Sequence, residues 1–144
     1  MKPVTLPPPV LHPDGRLTLF LPLPATAISP NGATGHSRAA ALRKAKRIKI
    51  HKTRARLAMV DALARYGLSS SSPAPRFTGY SLAFHFPTVT FRDDDNADAS
   101  CKAYRDGIAA ALHIDDRLLK KVALSTHQKD PTTPRLEFTL HPSP

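Results

Sequence analysis

The chain lacks the residues that build disulfide scaffolds and thiolate metal sites. It has one cysteine, Cys101, and no tryptophan in 144 residues. A single cysteine excludes an internal disulfide and a thiolate cluster, and we expect Cys101 to be a small buried apolar residue. No apolar run approaches the ~20 residues that a membrane span needs, and the N-terminus does not resemble a signal peptide. We therefore expect a cytoplasmic protein without a membrane partner.

Acidic residues are few and unevenly distributed. Lysine and arginine number 21 against 11 aspartates and glutamates, which gives a net charge of +10 and a pI near 10.3. This excess predicts a polyanionic partner, with nucleic acid the first candidate. Glu137 is the one glutamate, and seven of the eleven acids lie between positions 93 and 116. Acids that served only solubility would be scattered, so this cluster needs a local explanation.

The order of elements predicts the fold class. Residues 1–14 are proline-rich and are expected to form a flexible tail, whereas residues 15–144 are expected to form one domain. Alternating and helical apolar spacing predict a strand from Arg16, a helix over 37–66, a strand over 78–86, a second helix before His113, and strands over 118–126 and 135–140. This order, β-α-β-α-β-β, predicts an α+β fold: a mixed sheet of about four strands with two main helices on one face.

The first helix carries nearly all of the net charge. Ser37 is the predicted N-cap and Gly67 the predicted residue after the C-cap. Asp61 is the one acid of this segment, and we expect His51 to belong to the basic surface. The residues predicted to contact a DNA backbone are Arg43, Lys44, Lys46, Arg47, Lys49, Lys52 and Arg54.

The acidic stretch RDDDN, residues 92–96, predicts a cation site. In an extended chain Asp93 and Asp95 point to the same side and Asp94 to the other. Carboxylates without thiolates suit a hard cation, Mg²⁺ or alternatively Mn²⁺. The pair Asp115–Asp116 offers a further ligand.

A structural interpretation of the same acids stays open. In this interpretation Asp95 or Asn96 caps the second helix, and Lys102 forms i,i+4 pairs with Asp98 and Asp106. Capping explains one aspartate and leaves the others of the cluster unexplained.

The acidic motif and the helix after it resemble the RusA family of Holliday junction resolvases. The matching residues are Asp93, Asp95 and Asn96, followed by KAYRDGIAAALHIDD from Lys102 to Asp116. The resemblance covers about residues 15–141. It implies a homodimeric, Mg²⁺-dependent endonuclease that cuts branched double-stranded DNA, in the cytoplasm at the nucleoid, with a phage or prophage as one source. It also implies that Asp93, Asp95 and Asp116 hold the metal and that Lys102 assists catalysis.

The third aspartate raises a question of reach. A helix from Asn96 to Leu112 would be roughly 25 Å long, whereas the four residues after it span at most about 14 Å. Either the helix begins later, near Ser100, or a two-fold dimer places Asp116 of one chain beside Asp93 and Asp95 of the other.

Two other functions compete with junction cleavage. One is a basic nucleic-acid-binding protein that is not an enzyme and whose aspartates are structural. The other is a nuclease of the same fold that acts on flaps or forks.

Overall fold

A computed structural model describes residues 5–24, 37–68, 76–88 and 99–144. Within these ranges six strands form one mixed sheet, and two helices pack against its apolar face. The elements are β1 (Val10–Leu11), β2 (Leu17–Leu21), α1 (Arg38–Tyr66), β3 (Phe77–Phe86), α2 (Lys102–Ala111), a 3-10 helix (Asp116–Leu118), β4 (Lys120–Lys121), β5 (Thr126–Lys129) and β6 (Arg135–Pro142). The predicted α+β class and element order are confirmed, with two more strands than the four expected.

The sheet has the order β1-β2-β6-β3-β4, and β5 also pairs with β3. β4 and β5 run parallel to β3, and the other pairs are antiparallel. Instead of one strand over 118–126 the structure has two short ones, β4 and β5. The alternation of apolar residues predicted a single strand over this range. That prediction was wrong because Leu124, between β4 and β5, is 79% exposed and does not face the core.

The core lies between the apolar face of the sheet and the two helices. Leu19 of β2 and Leu82 of β3 both stand opposite Phe138 of β6, so one apolar row crosses three strands. Met59 of α1 and Ile108 of α2 are fully buried in the same core. Burying alternate strand residues against a helix stripe provides the main stabilisation of such a fold.

Part of the segment expected to be a flexible tail belongs to the sheet. Val10 and Leu11 form β1 and pair with β2, and the hydroxyl of Tyr66 donates a hydrogen bond of 2.6 Å to the carbonyl of Pro9. Prolines lack an N–H donor but keep a carbonyl acceptor, so they tolerate this edge position. The domain therefore begins several residues before Gly15.

Both predicted ends of α1 are confirmed, and α2 follows a turn. The Ser37 hydroxyl accepts a hydrogen bond of 3.1 Å from the backbone N–H of Ala40, and Gly67 has a left-handed φ of 62°. Only glycine adopts that backbone without strain. Helix α2 starts at Lys102, after a turn at Cys101, and the backbone of residues 99–100 before that turn is also helical. Whether Asp116 reaches the metal site within one chain or across a dimer therefore stays a prediction. None of the helices in the described ranges has the length and apolarity that a membrane span requires.

Candidate active site

The first turn of α2 holds the predicted lysine beside an acid. The ammonium Nζ of Lys102 lies 3.2 Å from Oδ2 of Asp106, one turn later on the helix. The Lys102 side chain is 64% exposed and that of Asp106 27%. An i,i+4 pair at this exposure stabilises a helix by only a few tenths of a kcal/mol. The pair therefore leaves the Lys102 charge available to an anion from solvent.

A helix-terminating turn sends the chain back along α2. His113 adopts a left-handed backbone with a φ of 56°. Its N–H donates to the carbonyl of Ala110 at 3.2 Å, and the N–H of Ile114 donates to that of Ala109 at 3.1 Å. These two bonds define a Schellman motif, here without the usual glycine. The motif lets Asp116 lie beside the helix it follows.

The two aspartates after this turn are held differently. Asp115 caps the 3-10 helix, and its carboxylate accepts hydrogen bonds from both the backbone and the guanidinium of Arg117, the latter at 2.9 Å. The Arg117 guanidinium holds the pKa of Asp115 well below its usual range. Asp116 instead faces Arg105 of α2, whose Nη2 lies 3.6 Å from its Oδ2. Asp116, the predicted ligand, is thus the aspartate tied to the surface of α2.

A cavity of about 400 Å³ joins these groups to α1. Its walls combine cationic and anionic side chains over a small apolar floor. The lining residues are Lys52, Lys102, Asp106, Ala109, Ala110, Ile114, Asp115 and Asp116. The structure therefore brings the predicted lysine and the third predicted aspartate to one cavity. Asp93 and Asp95 lie outside the described residues, so their distance from Asp116 stays a prediction.

The predicted DNA-binding residues surround the N-terminal half of α1. Arg43, Arg47 and Arg54 help line a groove of about 430 Å³, and Lys49 lines a neighbouring groove of about 620 Å³. Lys46 borders both grooves. Two members of the predicted set differ from these. Lys44 is half-buried and lines none of the described cavities, whereas Lys52 faces the cavity that contains Lys102.

His51 is mostly buried and still helps to line the groove of about 430 Å³ among the basic residues of α1. It is 7% exposed, and its ring stacks on Tyr104 of α2 with centroids 5.0 Å apart. Nδ1 donates a hydrogen bond of 2.8 Å to the carbonyl of Arg47. Burial lowers the pKa of His51, and the bond to Arg47 opposes this shift. The partner ring comes from another helix, so the basic run around His51 gave no signal of its burial.

Comparison with known proteins adds one relative. The chain is 38% identical over 100 residues to a protein of Xylella fastidiosa (strain Temecula1) that is described as uncharacterized. The match covers 69% of this chain and 60% of that relative, so it spans less than two thirds of the relative's length. No family model matches the chain. The described site must therefore be interpreted from its own geometry.

Proposed function

We propose that this chain is a Mg²⁺-dependent endonuclease of the RusA type, which cleaves branched DNA such as Holliday junctions as a homodimer. The observation that carries the proposal is the meeting of Lys102 and Asp116 in one cavity next to a basic helix. Lys102 begins and Asp116 ends the second part of the motif on which the resemblance rests. A cation that could contact phosphate and a carboxylate that could hold a metal would each accelerate phosphodiester hydrolysis.

The donors in the cavity suit a hard cation. They are carboxylate oxygens, which Mg²⁺ prefers, and Mn²⁺ would be accepted by the same ligands. Among the described residues no group of three or more His, Cys, Asp or Glu side chains is arranged to hold a metal. The proposed site therefore needs Asp93 and Asp95 in addition to Asp116. A bound ion would supply Lewis-acid polarisation of the scissile phosphate.

The protein groups would position the substrate and balance its charge. Arg105 restrains the carboxylate of Asp116 through the contact at 3.6 Å. Lys102 would approach a non-bridging phosphate oxygen from the exposed end of the cavity and offset charge that develops during cleavage. The exposed half of α1 would hold the DNA backbone nearby. Recognition would depend on branch shape and two-fold symmetry.

The ion pairs of the cavity favour a second candidate. Three ion pairs offset the charges of the carboxylates without any metal. They join Lys102 to Asp106, Arg105 to Asp116, and Arg117 to Asp115. The same geometry would suit a basic nucleic-acid-binding protein whose aspartates only order the α2 terminus. This candidate predicts DNA binding without cleavage.

The variant Asp116→Asn separates the two candidates. Labelled four-way, forked, flapped and linear DNA would be incubated with Mg²⁺, with Mn²⁺ and with EDTA. The nuclease predicts metal-dependent cleavage, with the branched substrate that is cut fastest naming the preferred class. Asp116→Asn should lower the rate about 100-fold or more, since the loss of even outer-shell support costs 10–100-fold in metal sites. Junction binding should be kept or tightened, because one repulsive charge is removed.

The matched control is Asp61→Asn, which removes a more exposed carboxylate of α1 that pairs with Arg65 at the same distance of 3.6 Å. It should cleave at the wild-type rate. Equal cleavage by wild type and Asp116→Asn would defeat the nuclease proposal. Binding without cleavage by the wild-type protein in either metal would favour the binding protein.

A further inference from the structure

The backbones of the two helices approach closely at Gly107 of α2. A Cβ atom built there would overlap the backbone carbonyl of Lys52 and would lie 3.1 Å from the backbone nitrogen of Arg56. Only a residue without a side chain permits this approach. The contact fixes the backbone of Lys52 directly against the helix that carries Lys102 and Asp106. Lys52 therefore lies at the contact between the two helices, and this position distinguishes it from the other lysines of α1.

Lys52 also differs from the other cations of the cavity in its partners. Lys102 is paired with Asp106, and Arg105 is paired with Asp116. Among the described residues no carboxylate forms an ion pair with Lys52, although its side chain is exposed and lines the same cavity. An ammonium that forms no ion pair at the exposed wall of this cavity is well placed to receive an anion.

We propose that Lys52 is a catalytic residue that contacts the scissile phosphate, and not one more residue of the DNA grip. This inference rests on the proposed nuclease function. The long, flexible lysine stem carries a point charge that can follow a phosphate oxygen as its charge rises during hydrolysis. Lys52 from α1 and Lys102 from α2 would then both contact the phosphate in the cavity that Asp116 also lines. The close approach at Gly107 keeps the two lysines on one wall.

Single-turnover kinetics distinguish a role in the chemical step from a role in binding. Cleavage of a labelled four-way junction would be measured with Mg²⁺ and with enzyme at saturating excess, and junction affinity would be measured separately in Ca²⁺. Lys52→Ala should lower the saturated rate about 100-fold, the scale on which removal of one preorganised donor acts. Its affinity should fall only by the modest factor that one phosphate contact contributes. Lys52→Arg should recover part of the rate because it restores the charge.

Lys129→Ala serves as the matched control, because Lys129 is an exposed lysine of β5 that lines none of the described cavities. It should match wild type in rate and affinity. A saturated rate of Lys52→Ala equal to that of Lys129→Ala would overturn the inference while leaving the nuclease proposal intact. A wild-type protein that cleaves no substrate would instead overturn the nuclease proposal and this inference together. Lys52→Gln, with thermal unfolding at the wild-type temperature, excludes a folding defect as the cause.

Discussion

The two halves of α1 differ in how far their side chains are buried. Over residues 51–66 the helix buries Ala55, Met59 and Ala62 completely. Over residues 38–50 none of the side chains is buried, and even Leu42 is 61% exposed. The difference arises because the second half packs against the sheet and α2.

The buried half can be broken by a single truncation. Met59→Ala should lower the free energy of unfolding by about 2–5 kcal/mol, because it opens a cavity in a site that is fully buried. Ile48→Ala should change it by no more than about 0.5 kcal/mol, since Ile48 is 39% exposed and alanine is the better helix former. Urea unfolding of both variants tests the contrast. Equal losses would show that the first half of α1 is packed as tightly as the second.

DNA binding by the exposed half of α1 can be weakened without loss of folding stability. The double variant Lys46→Gln/Arg47→Gln should unfold at the wild-type urea concentration or slightly above it, because each of these residues stands three or four positions from another cation of the helix. Its DNA affinity should fall, and the slope of log K against log salt should become shallower by about 0.9 for each phosphate that the helix no longer neutralises. Arg65→Gln/Lys129→Gln removes the same charge elsewhere. A steeper or equal slope for the first variant would place the DNA on another surface.

His51, at the boundary between the two halves of α1, should make the folding stability depend weakly on pH. His51 is the first buried residue of α1, and its pKa is lowered because burial disfavours the charged ring. In the unfolded chain the ring titrates near its ordinary value of 6.5. Stability is therefore full above that pH and declines as pH falls toward the lower folded-state pKa. His51→Phe should flatten this decline in urea unfolding between pH 7 and 5. An unchanged pH profile would indicate that other groups control it.

Local signals in the sequence predicted part of this architecture well. The ends of α1 were predictable because Ser37 and Gly67 act on the backbone next to them. β1 was missed because two residues become a strand only by pairing with Leu17 and Thr18, which no local pattern reveals. The split of the strand over 118–126 likewise depends on where β3 offers free backbone groups. Pairing between strands that are distant in sequence, and not the strand preference of single residues, determines both the formation of β1 and this split.

The candidate site divides in the same way. The motif that ends in Asp116 pointed to Lys102 and Asp116 as site residues, and both line the cavity. The sequence did not show how Asp116 returns to the helix, because His113 takes a backbone that usually signals glycine. Nor did it separate Lys52 from its neighbours in a run of similar charges. That distinction depends on the close approach of Gly107, a residue 55 positions later.

The exposed half of α1 also has a linear charge density that suits its proposed ligand. Residues 38–50 include six cations: Arg38, Arg43, Lys44, Lys46, Arg47 and Lys49. Thirteen helical residues extend over about 20 Å, so one positive charge occurs about every 3.3 Å along the axis. A DNA strand carries one phosphate about every 3.4 Å. The exposed half of α1 and a DNA strand therefore match in charge per unit length. Each cation of the helix could replace one counterion that the DNA strand releases.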